Sequence, residues 1–265
     1  MSPDFRSVLP GFLPLSGIGD NSSMDDDAMP DVSGTSGYRN RPVSWVRRGV
    51  RMTEGQEAAL EKYGAKYLIE PPRGVARESI APGWQLAPQS AFGNDHDVVL
   101  EIGIGRGENI VAAAARQPDT NFIGVEVYGP GIARTILLAE QQGGLPNMRL
   151  IQADAPEVLA SLPSSSLTEM WVFFPDPWPK TRHLKRRMID DDFARDVARV
   201  LAPGGIIRLA TDWLHYAQQI AAVFDAAPAF ALAGTERFDG RVLTTFESKG
   251  IRAGRAVSDR AYVRR

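Results

Sequence analysis

Short apolar runs alternate with stretches of helical pattern from Asp97 onward, and this alternation restricts the fold more than any other feature of the chain. Strands are predicted at Val98–Ile102, Phe122–Val125, Met148–Gln152, Met170–Phe174 and Ile206–Ala210, with two more at Val242–Phe246 and Ala261–Val263. Helices are predicted between them at Glu108–Gln117, Pro130–Gln142 and Pro156–Leu162, from Asp190 onward, and around Ala217–Phe224. Such alternation is typical of an α/β fold, here a doubly wound, mostly parallel seven-stranded sheet with helices on both faces.

The first part of the sequence has a different character. Residues 1–37 are rich in Ser, Gly, Pro and Asp without hydrophobic periodicity, so we predict a disordered tail. Residues 38–265 are predicted to form one domain. That domain begins with a basic stretch containing Arg47, Arg48 and Arg51. A capping box, Thr53 to Gln56, follows and opens a short helix that runs through Leu60.

Composition excludes several classes of protein. The chain has no cysteine, which excludes a disulfide framework and thiolate metal sites, and its three histidines are far apart, so no metal site is predicted. We find no apolar run long enough to cross a bilayer and no signal peptide, and we expect a cytoplasmic protein without a membrane partner. The net charge of −2 does not itself indicate nucleic-acid binding.

A glycine-rich loop follows the first predicted strand. Gly103, Gly105 and Gly107 are spaced GxGxG, and Glu108 stands where the dinucleotide fingerprint GxGxxG has its third glycine. A carboxylate there is unfavourable beside a pyrophosphate, since both are anionic. It is compatible with S-adenosylmethionine, which carries a sulfonium and an ammonium group, and Glu101 adds a second acid.

Two further acids follow the next predicted strands. Glu126 is placed to accept both hydroxyls of a ribose, and Asp154 is a candidate for the adenine amino group. Either one alone could be a surface carboxylate or a helix cap. Because parallel strands bring their carboxyl ends to one edge of the sheet, three acids at three successive strand ends favour a shared ligand site. With the GxGxG loop, they resemble class I S-adenosylmethionine-dependent methyltransferases, which have a Rossmann-like fold.

The fourth predicted strand runs into Asp176, which lies between Pro175 and Pro177. A carboxylate can accept hydrogen bonds from the N1–H and amino groups of guanine, and Trp178 or Phe174 could stack on a base. The alternative interpretation is a proline-rich turn in which the aspartate caps the following segment.

A dense run of cations comes next. Five of the eight residues from Lys180 to Arg187 are Lys or Arg. Such a run is often a solvated face, but its position beside a candidate active site favours phosphate binding.

These motifs together resemble the bacterial tRNA (guanine-N7-)-methyltransferases over about residues 41–264. The resemblance rests on residues 44–49 (SWVRRG), 101–107 (EIGIGRG), 174–180 (FPDPWPK), 182–187 (RHLKRR), 211–212 (TD) and 244–247 (TTFE). The glycine loop is common to many methyltransferases, whereas PDPWPK with RHLKRR is specific. The resemblance implies formation of 7-methylguanosine at position 46 of the tRNA variable loop.

The resemblance also implies roles for individual residues. Glu101, Gly103, Gly105, Gly107, Glu126, Asp154 and Asp176 would contact S-adenosyl-L-methionine, with Asp176 also catalytic. Lys180, Arg182, Lys185, Arg186, Arg187, Asp212, Thr244 and Glu247 would contact tRNA. No obligate protein partner is implied, and a monomer or homodimer is expected.

Three other functions remain open from the sequence. A methyltransferase could act on another RNA or on a protein. A nicotinamide-dependent oxidoreductase would need a third glycine near position 108 and a catalytic Tyr, Ser or Lys, neither of which is evident. A non-catalytic RNA-binding module would tolerate a damaged cofactor loop, yet this loop is intact.

Overall fold

The computed structural model describes residues 43–45, 49, 51–74 and 78–265. The predicted tail, the domain boundary near residue 38, and Arg47 and Arg48 lie outside the described residues. No helix in this described part of the chain is both long enough and apolar enough to cross a membrane.

A seven-stranded sheet forms the centre of the domain. Its strands are β1 (Asp97–Ile102), β2 (Thr120–Val125), β3 (Met148–Ile151), β4 (Leu167–Phe173), β5 (Leu201–Thr211), β6 (Phe230–Gly234) and β7 (Ser258–Arg264). Their spatial order is β3-β2-β1-β4-β5-β7-β6. The first five strands pair in parallel, and β7 pairs antiparallel with both β5 and β6. The predicted fold class is therefore confirmed.

Helices cover both faces of the sheet. They are α1 (Glu54–Tyr67), α2 (Pro88–Phe92), α3 (Glu108–Arg116), α4 (Gly129–Gln141), α5 (Ala155–Ser161), α6 (Asp191–Val200), α7 (Leu214–Ala226) and α8 (Thr245–Arg252), with a 3₁₀ helix at Thr181–Arg186. Alternate residues of a strand point to opposite faces. In β1, Leu100 packs into a core with α5, α6 and α7, whereas Val99 packs into a second core with α1, α3 and α4.

The start of α1 follows the predicted capping box. Thr53 Oγ1 accepts a hydrogen bond from Gln56 N at 3.3 Å, and Gln56 Oε1 accepts one from Thr53 N at 2.9 Å. The helix continues to Tyr67, well beyond the short helix that the sequence pattern predicted.

The predicted strand at Val242–Phe246 is wrong. Thr244 is the N-cap of α8, and its hydroxyl accepts a hydrogen bond from Glu247 N at 3.2 Å. The β-branched residues that suggested a strand lie at a helix start, where a threonine hydroxyl can satisfy an otherwise unpaired N–H group. The strand that does occupy this part of the sheet is β6, which the sequence pattern missed.

The strand order determines where a ligand can bind. Successive strands are added on one side of β1 up to β3 and on its other side from β4 onward, so the direction of strand addition changes between β1 and β4. The carboxyl ends of β1 to β5 all lie at one edge of the sheet. In open α/β sheets, ligands bind outside such a switch point. The glycine loop follows β1, and residues 174–180, here called the Asp176 segment, follow β4, so both lie at this position.

Candidate active site

The glycine loop combines tight packing with open space. A side chain at Gly107 would lie 2.2 Å from Thr135 Oγ1 in α4, and Gly107 has a φ of +79°, so only glycine fits without strain. A Cβ at Gly103 or Gly105, by contrast, would meet no atom within 4 Å. The loop is therefore anchored on α4 and leaves open space above its first two glycines.

Glu126, directly after β2, is joined to this loop. Its Oε2 accepts a hydrogen bond from Gly105 N at 2.9 Å, and its Oε1 accepts from Val127 N at 2.9 Å and Tyr128 N at 3.0 Å. These bonds fix the orientation of the carboxylate.

Asp154 occupies the N-cap position of α5 after β3. Its side chain makes no capping hydrogen bond to the helix, and its backbone N donates to Glu78 O at 2.8 Å. The structure therefore does not support the helix-cap alternative for this half-buried acid.

Glu101 lies inside the protein, near the end of β1. It is 4% exposed, and its Oε2 accepts a hydrogen bond from Asn109 Nδ2 at 3.1 Å. Burial raises the pKa of the Glu101 carboxyl to about 7, against the smaller opposing effect of the Asn109 bond. A cation nearby would stabilise the ionised form.

The Asp176 segment has an unusual backbone. Phe174 and Trp178 have φ values of 54° and 43°, in the left-handed region that bulky residues rarely adopt. Phe174 N donates to Ala210 O at 2.8 Å, which ties the segment to β5. Strain of this kind persists only where surrounding contacts enforce it, and it is typical of functional sites.

The Trp178 side chain contacts three other residues of the protein. Its Nε1 donates to Ser44 O at 2.9 Å, and its ring meets His183 edge-on at a centroid distance of 5.6 Å. The guanidinium of Arg186 lies over the ring, 5.1 Å from its centroid. The predicted base-stacking position of Trp178 is thus taken up by contacts within the protein.

The cationic run divides into an exposed and a buried part. Lys180, Arg182 and Lys185 are exposed and Arg186 is half-buried, whereas Arg187 is only 2% exposed. The structure thus places Arg187 apart from the exposed cations that were predicted to contact tRNA together with it.

Arg187 is held by several groups beneath the Asp176 segment. Its Nε donates to Pro177 O at 2.9 Å, and its Nη1 donates to Gln219 Oε1 at 2.8 Å and lies 3.0 Å from His215 Nδ1. The guanidinium also covers the ring of Tyr216 at 4.7 Å. Burial lowers the pKa of Arg187. These contacts anchor Pro177, next to Asp176, on α7.

Asp212 and Glu247, both predicted to contact tRNA, form ion pairs within the protein. Asp212 follows β5 and pairs with Arg255 Nε at 2.7 Å. Glu247 is 2% exposed, and its carboxylate pairs with Arg241 at 2.9 Å and Arg237 at 3.3 Å. Thr244, the third predicted contact of this group, caps α8.

Three residues join the two halves of the site through contacts that the sequence pattern did not predict. Glu108 accepts hydrogen bonds from Thr245 N at 2.7 Å and Thr245 Oγ1 at 2.5 Å, which links the glycine loop to α8. Asn109 Oδ1 accepts from Val242 N at 3.1 Å, so this buried amide connects Glu101 to the same segment.

The third is Arg241, whose side chain is fully buried. It pairs with Glu247 and Asp259, and its guanidinium lies 5.1 Å from the ring centroid of Phe173 and 5.4 Å from that of Phe174. The glycine spacing had drawn attention to Glu108 only as a departure from the dinucleotide fingerprint. Thr245, the hydrogen-bond partner of Glu108, lies 137 positions away in the chain.

A methyltransferase family model matches residues 95–260, and the fold and the glycine loop agree with this class. Curated relatives show which methyltransferase family is involved. The tRNA (guanine-N(7)-)-methyltransferase of Paenarthrobacter aurescens is 37% identical over 86% of this chain and 93% of its own length, and that of Nocardioides sp. is 43% identical over 86% and 90%. The chain belongs to the tRNA (guanine-N(7)-)-methyltransferase family. Among solved structures, TrmN from Thermus thermophilus aligns with 79% of this chain and 48% of its own, at 18% identity and a TM-score of 0.47.

Proposed function

We propose that this protein transfers the methyl group of S-adenosyl-L-methionine to N7 of a guanosine in tRNA, at position 46 of the variable loop. The observation that carries the proposal is the meeting of the glycine loop, its strand-end acids and the Asp176 segment at one switch point of the sheet. Membership of the family and the specific PDPWPK segment support the choice of acceptor.

The residues present fit this methyl donor. S-adenosyl-L-methionine supplies a methyl group on a positively charged sulfur. Glu126 would accept the ribose hydroxyls with an already oriented carboxylate, and Asp154 would accept from the adenine amino group. The open space above Gly103 and Gly105 allows close backbone approach, and the buried Glu101 suits a ligand with a cationic end. The acidic set is unfavourable for a pyrophosphate.

The chemistry at guanine requires little from the protein beyond position and charge. Guanine N7 already has a lone pair in the plane of the ring, so no base has to remove a proton. Asp176 would accept hydrogen bonds from guanine N1–H and the amino group, and it would face the positive charge that forms on the purine. Holding the acceptor in line with the methyl group, away from water, supplies the remaining acceleration.

The exposed cations would bind the tRNA backbone. Lys180, Arg182 and Lys185 face solvent beside the Asp176 segment, and Arg186 is oriented by its contact with Trp178. The buried Arg187 would act differently, by holding Pro177 in place.

The test supplies unmodified tRNA and labelled S-adenosylmethionine, followed by borohydride and aniline treatment, which cleaves RNA at 7-methylguanosine. Cleavage at a single site in the variable loop is expected. Asp176→Ala should lose most turnover and keep most tRNA affinity, and near-normal turnover in that variant would contradict its assigned role. Methyl incorporation without cleavage would assign the reaction to another acceptor atom.

A further inference from the structure

Asn109, the second residue of α3, joins two parts of the molecule that are far apart in sequence. Its side chain is buried, with the residue only 3% exposed. Its Nδ2 donates a hydrogen bond to Glu101 Oε2 at 3.1 Å, and its Oδ1 accepts one from Val242 N at 3.1 Å. One planar amide thus connects the carboxylate near the end of β1 to the backbone that leads into α8.

The chemistry of this bridge requires an amide. An ionised carboxylate only accepts hydrogen bonds and a backbone N–H only donates them, so the residue between them has to offer one donor and one acceptor. Asparagine offers both on one short side chain. A carboxylate at position 109 could not donate to Glu101, and an apolar side chain would leave Glu101 and Val242 N without this partner.

Glu101 makes the bridge sensitive to a charge in the methyl-donor site. Because burial raises the pKa of the Glu101 carboxyl to about 7, its neutral and ionised forms are both populated near neutral pH. A cationic ligand nearby favours the ionised form. A hydrogen bond to an ionised acceptor is roughly twice as strong as one between neutral groups, and hydrogen bonds in a buried chain polarise one another. A bound cation should therefore strengthen both hydrogen bonds of Asn109.

The preceding residue, Glu108, holds the same part of the chain in a different way. Its carboxylate accepts hydrogen bonds from Thr245 N and Thr245 Oγ1 directly. These bonds do not pass through Glu101, so the charge of Glu101 should leave their strength unchanged. Positions 108 and 109 therefore provide a matched pair: both contact the start of α8, and Asn109 alone of the two bonds to Glu101.

We propose that Asn109 is a positioning residue that couples the methyl-donor site to residues 242–252. Occupation of the donor site strengthens the bridge through Asn109 and holds the start of α8 more firmly against α3. The inference rests on the proposed function, because it takes the cationic ligand to be S-adenosyl-L-methionine. The link is a coupling free energy: the ligand binds more tightly when the bridge is closed than when it is open.

Amide hydrogen exchange of the full chain measures this coupling. Exchange of residues 242–252 is compared with and without saturating S-adenosyl-L-methionine, in the absence of tRNA. The ligand should slow exchange in this segment about 5-fold in wild type, the lower end of typical couplings between sites. In Asn109→Leu, which keeps a side chain of similar size but neither hydrogen bond, the slowing should fall below about 2-fold.

Two further variants separate coupling from simple packing, with calorimetry confirming that each binds the ligand to saturation. Glu108→Ala should speed exchange of residues 242–252 with and without ligand, because it removes the Thr245 contacts, but the slowing of about 5-fold by the ligand should remain. Glu101→Gln can still accept from Asn109 but cannot ionise, so the ligand effect on this segment should be lost. A purely structural Asn109 would change exchange equally with and without ligand.

The proposal is overturned if the ligand slows exchange of residues 242–252 equally in wild type and Asn109→Leu, because the ligand would then act on α8 without the bridge. An undiminished ligand effect in Glu101→Gln would also overturn it, and this variant decides the matter if Asn109→Leu does not fold. These outcomes are distinct from failure of the proposed function. If wild type does not bind S-adenosyl-L-methionine, the proposed function fails, whereas binding with unchanged exchange of residues 242–252 contradicts this inference alone.

Discussion

Replacing Glu247 by alanine should destabilise the whole domain. The Glu247 and Arg241 side chains are 1% and 0% exposed and lie 2.9 Å apart, and Arg237 makes a second, weaker contact with the same carboxylate at 3.3 Å. Glu247→Ala leaves the Arg241 guanidinium buried with Asp259 as its remaining charged partner. The loss of stability therefore has two causes, a missing ion pair and an incompletely neutralised buried charge.

The magnitude follows from this geometry. Removing one partner of a buried ion pair costs about 3–5 kcal/mol, and the remaining contact with Asp259 places the expected value near the lower end, about 3 kcal/mol. For a domain of this size, each kcal/mol lowers the melting temperature by about 2–4 °C. Glu247→Ala should thus melt about 6–12 °C below wild type.

Urea unfolding and thermal melting of the full chain measure the effect. Glu236→Ala is the control, since Glu236 is exposed and a surface change of this kind stays within about 0.5 kcal/mol. A double-mutant cycle with Arg241→Met should show coupling of the two sites above about 0.5 kcal/mol. An unchanged melting temperature with lost methyl transfer would refute this reasoning and make Glu247 a direct contact of the substrate.

Four other substitutions test other parts of the site. Glu101→Gln should flatten the pH dependence of stability. Burial raises the pKa of the Glu101 carboxyl from 4.5 to about 7, so the free energy of unfolding of wild type should fall by about 3 kcal/mol as pH rises across that interval. Equal shifts of the urea midpoint between pH 5 and 8 in wild type and variant would contradict this. Arg187→Met should lower stability but leave the slope of log Kd for tRNA against log salt unchanged, because Arg187 is buried. Lys185→Ala, at an exposed position, should reduce that slope by about 0.9. A similar reduction for Arg187→Met would show that Arg187 contacts the RNA. Glu108→Ala should speed amide hydrogen exchange in α8 and lower the free energy of unfolding by about 1–2 kcal/mol, because it removes the acceptors of both Thr245 hydrogen bonds. Unchanged exchange in α8 would show that this contact is dispensable.

The parallel part of the fold could be predicted because its signals are local. Each of the first five strands is a short apolar run, and each following helix has its own start and stop residues. The C-terminal part was harder to predict. Residues 242–246 have β-branched side chains typical of a strand, yet the Thr244 hydroxyl and the distant Glu108 carboxylate together stabilise a helix start there.

The candidate site divides in the same way. Glu101, Glu126, Asp154 and Asp176 lie at or near one edge of the sheet because they end or follow parallel strands, and the alternation of strands and helices predicts such parallel strands. Burial within a charged run does not follow from the pattern. Arg187 looks like its neighbours in the sequence, and only its contacts with α7 and Pro177 remove it from solvent.

Strand β7 is seventh in sequence but lies between β5 and β6 in space, which has a consequence for biosynthesis. Until residues 258–264 have emerged from the ribosome, β5 has an unpaired edge on the side away from β4, and β6 has no strand to pair with. Such edges can pair with other chains. The nascent protein is therefore most exposed to aggregation while α7, β6 and α8 have been made and β7 has not. A chain stopped just before Ser258 would keep that exposure permanently.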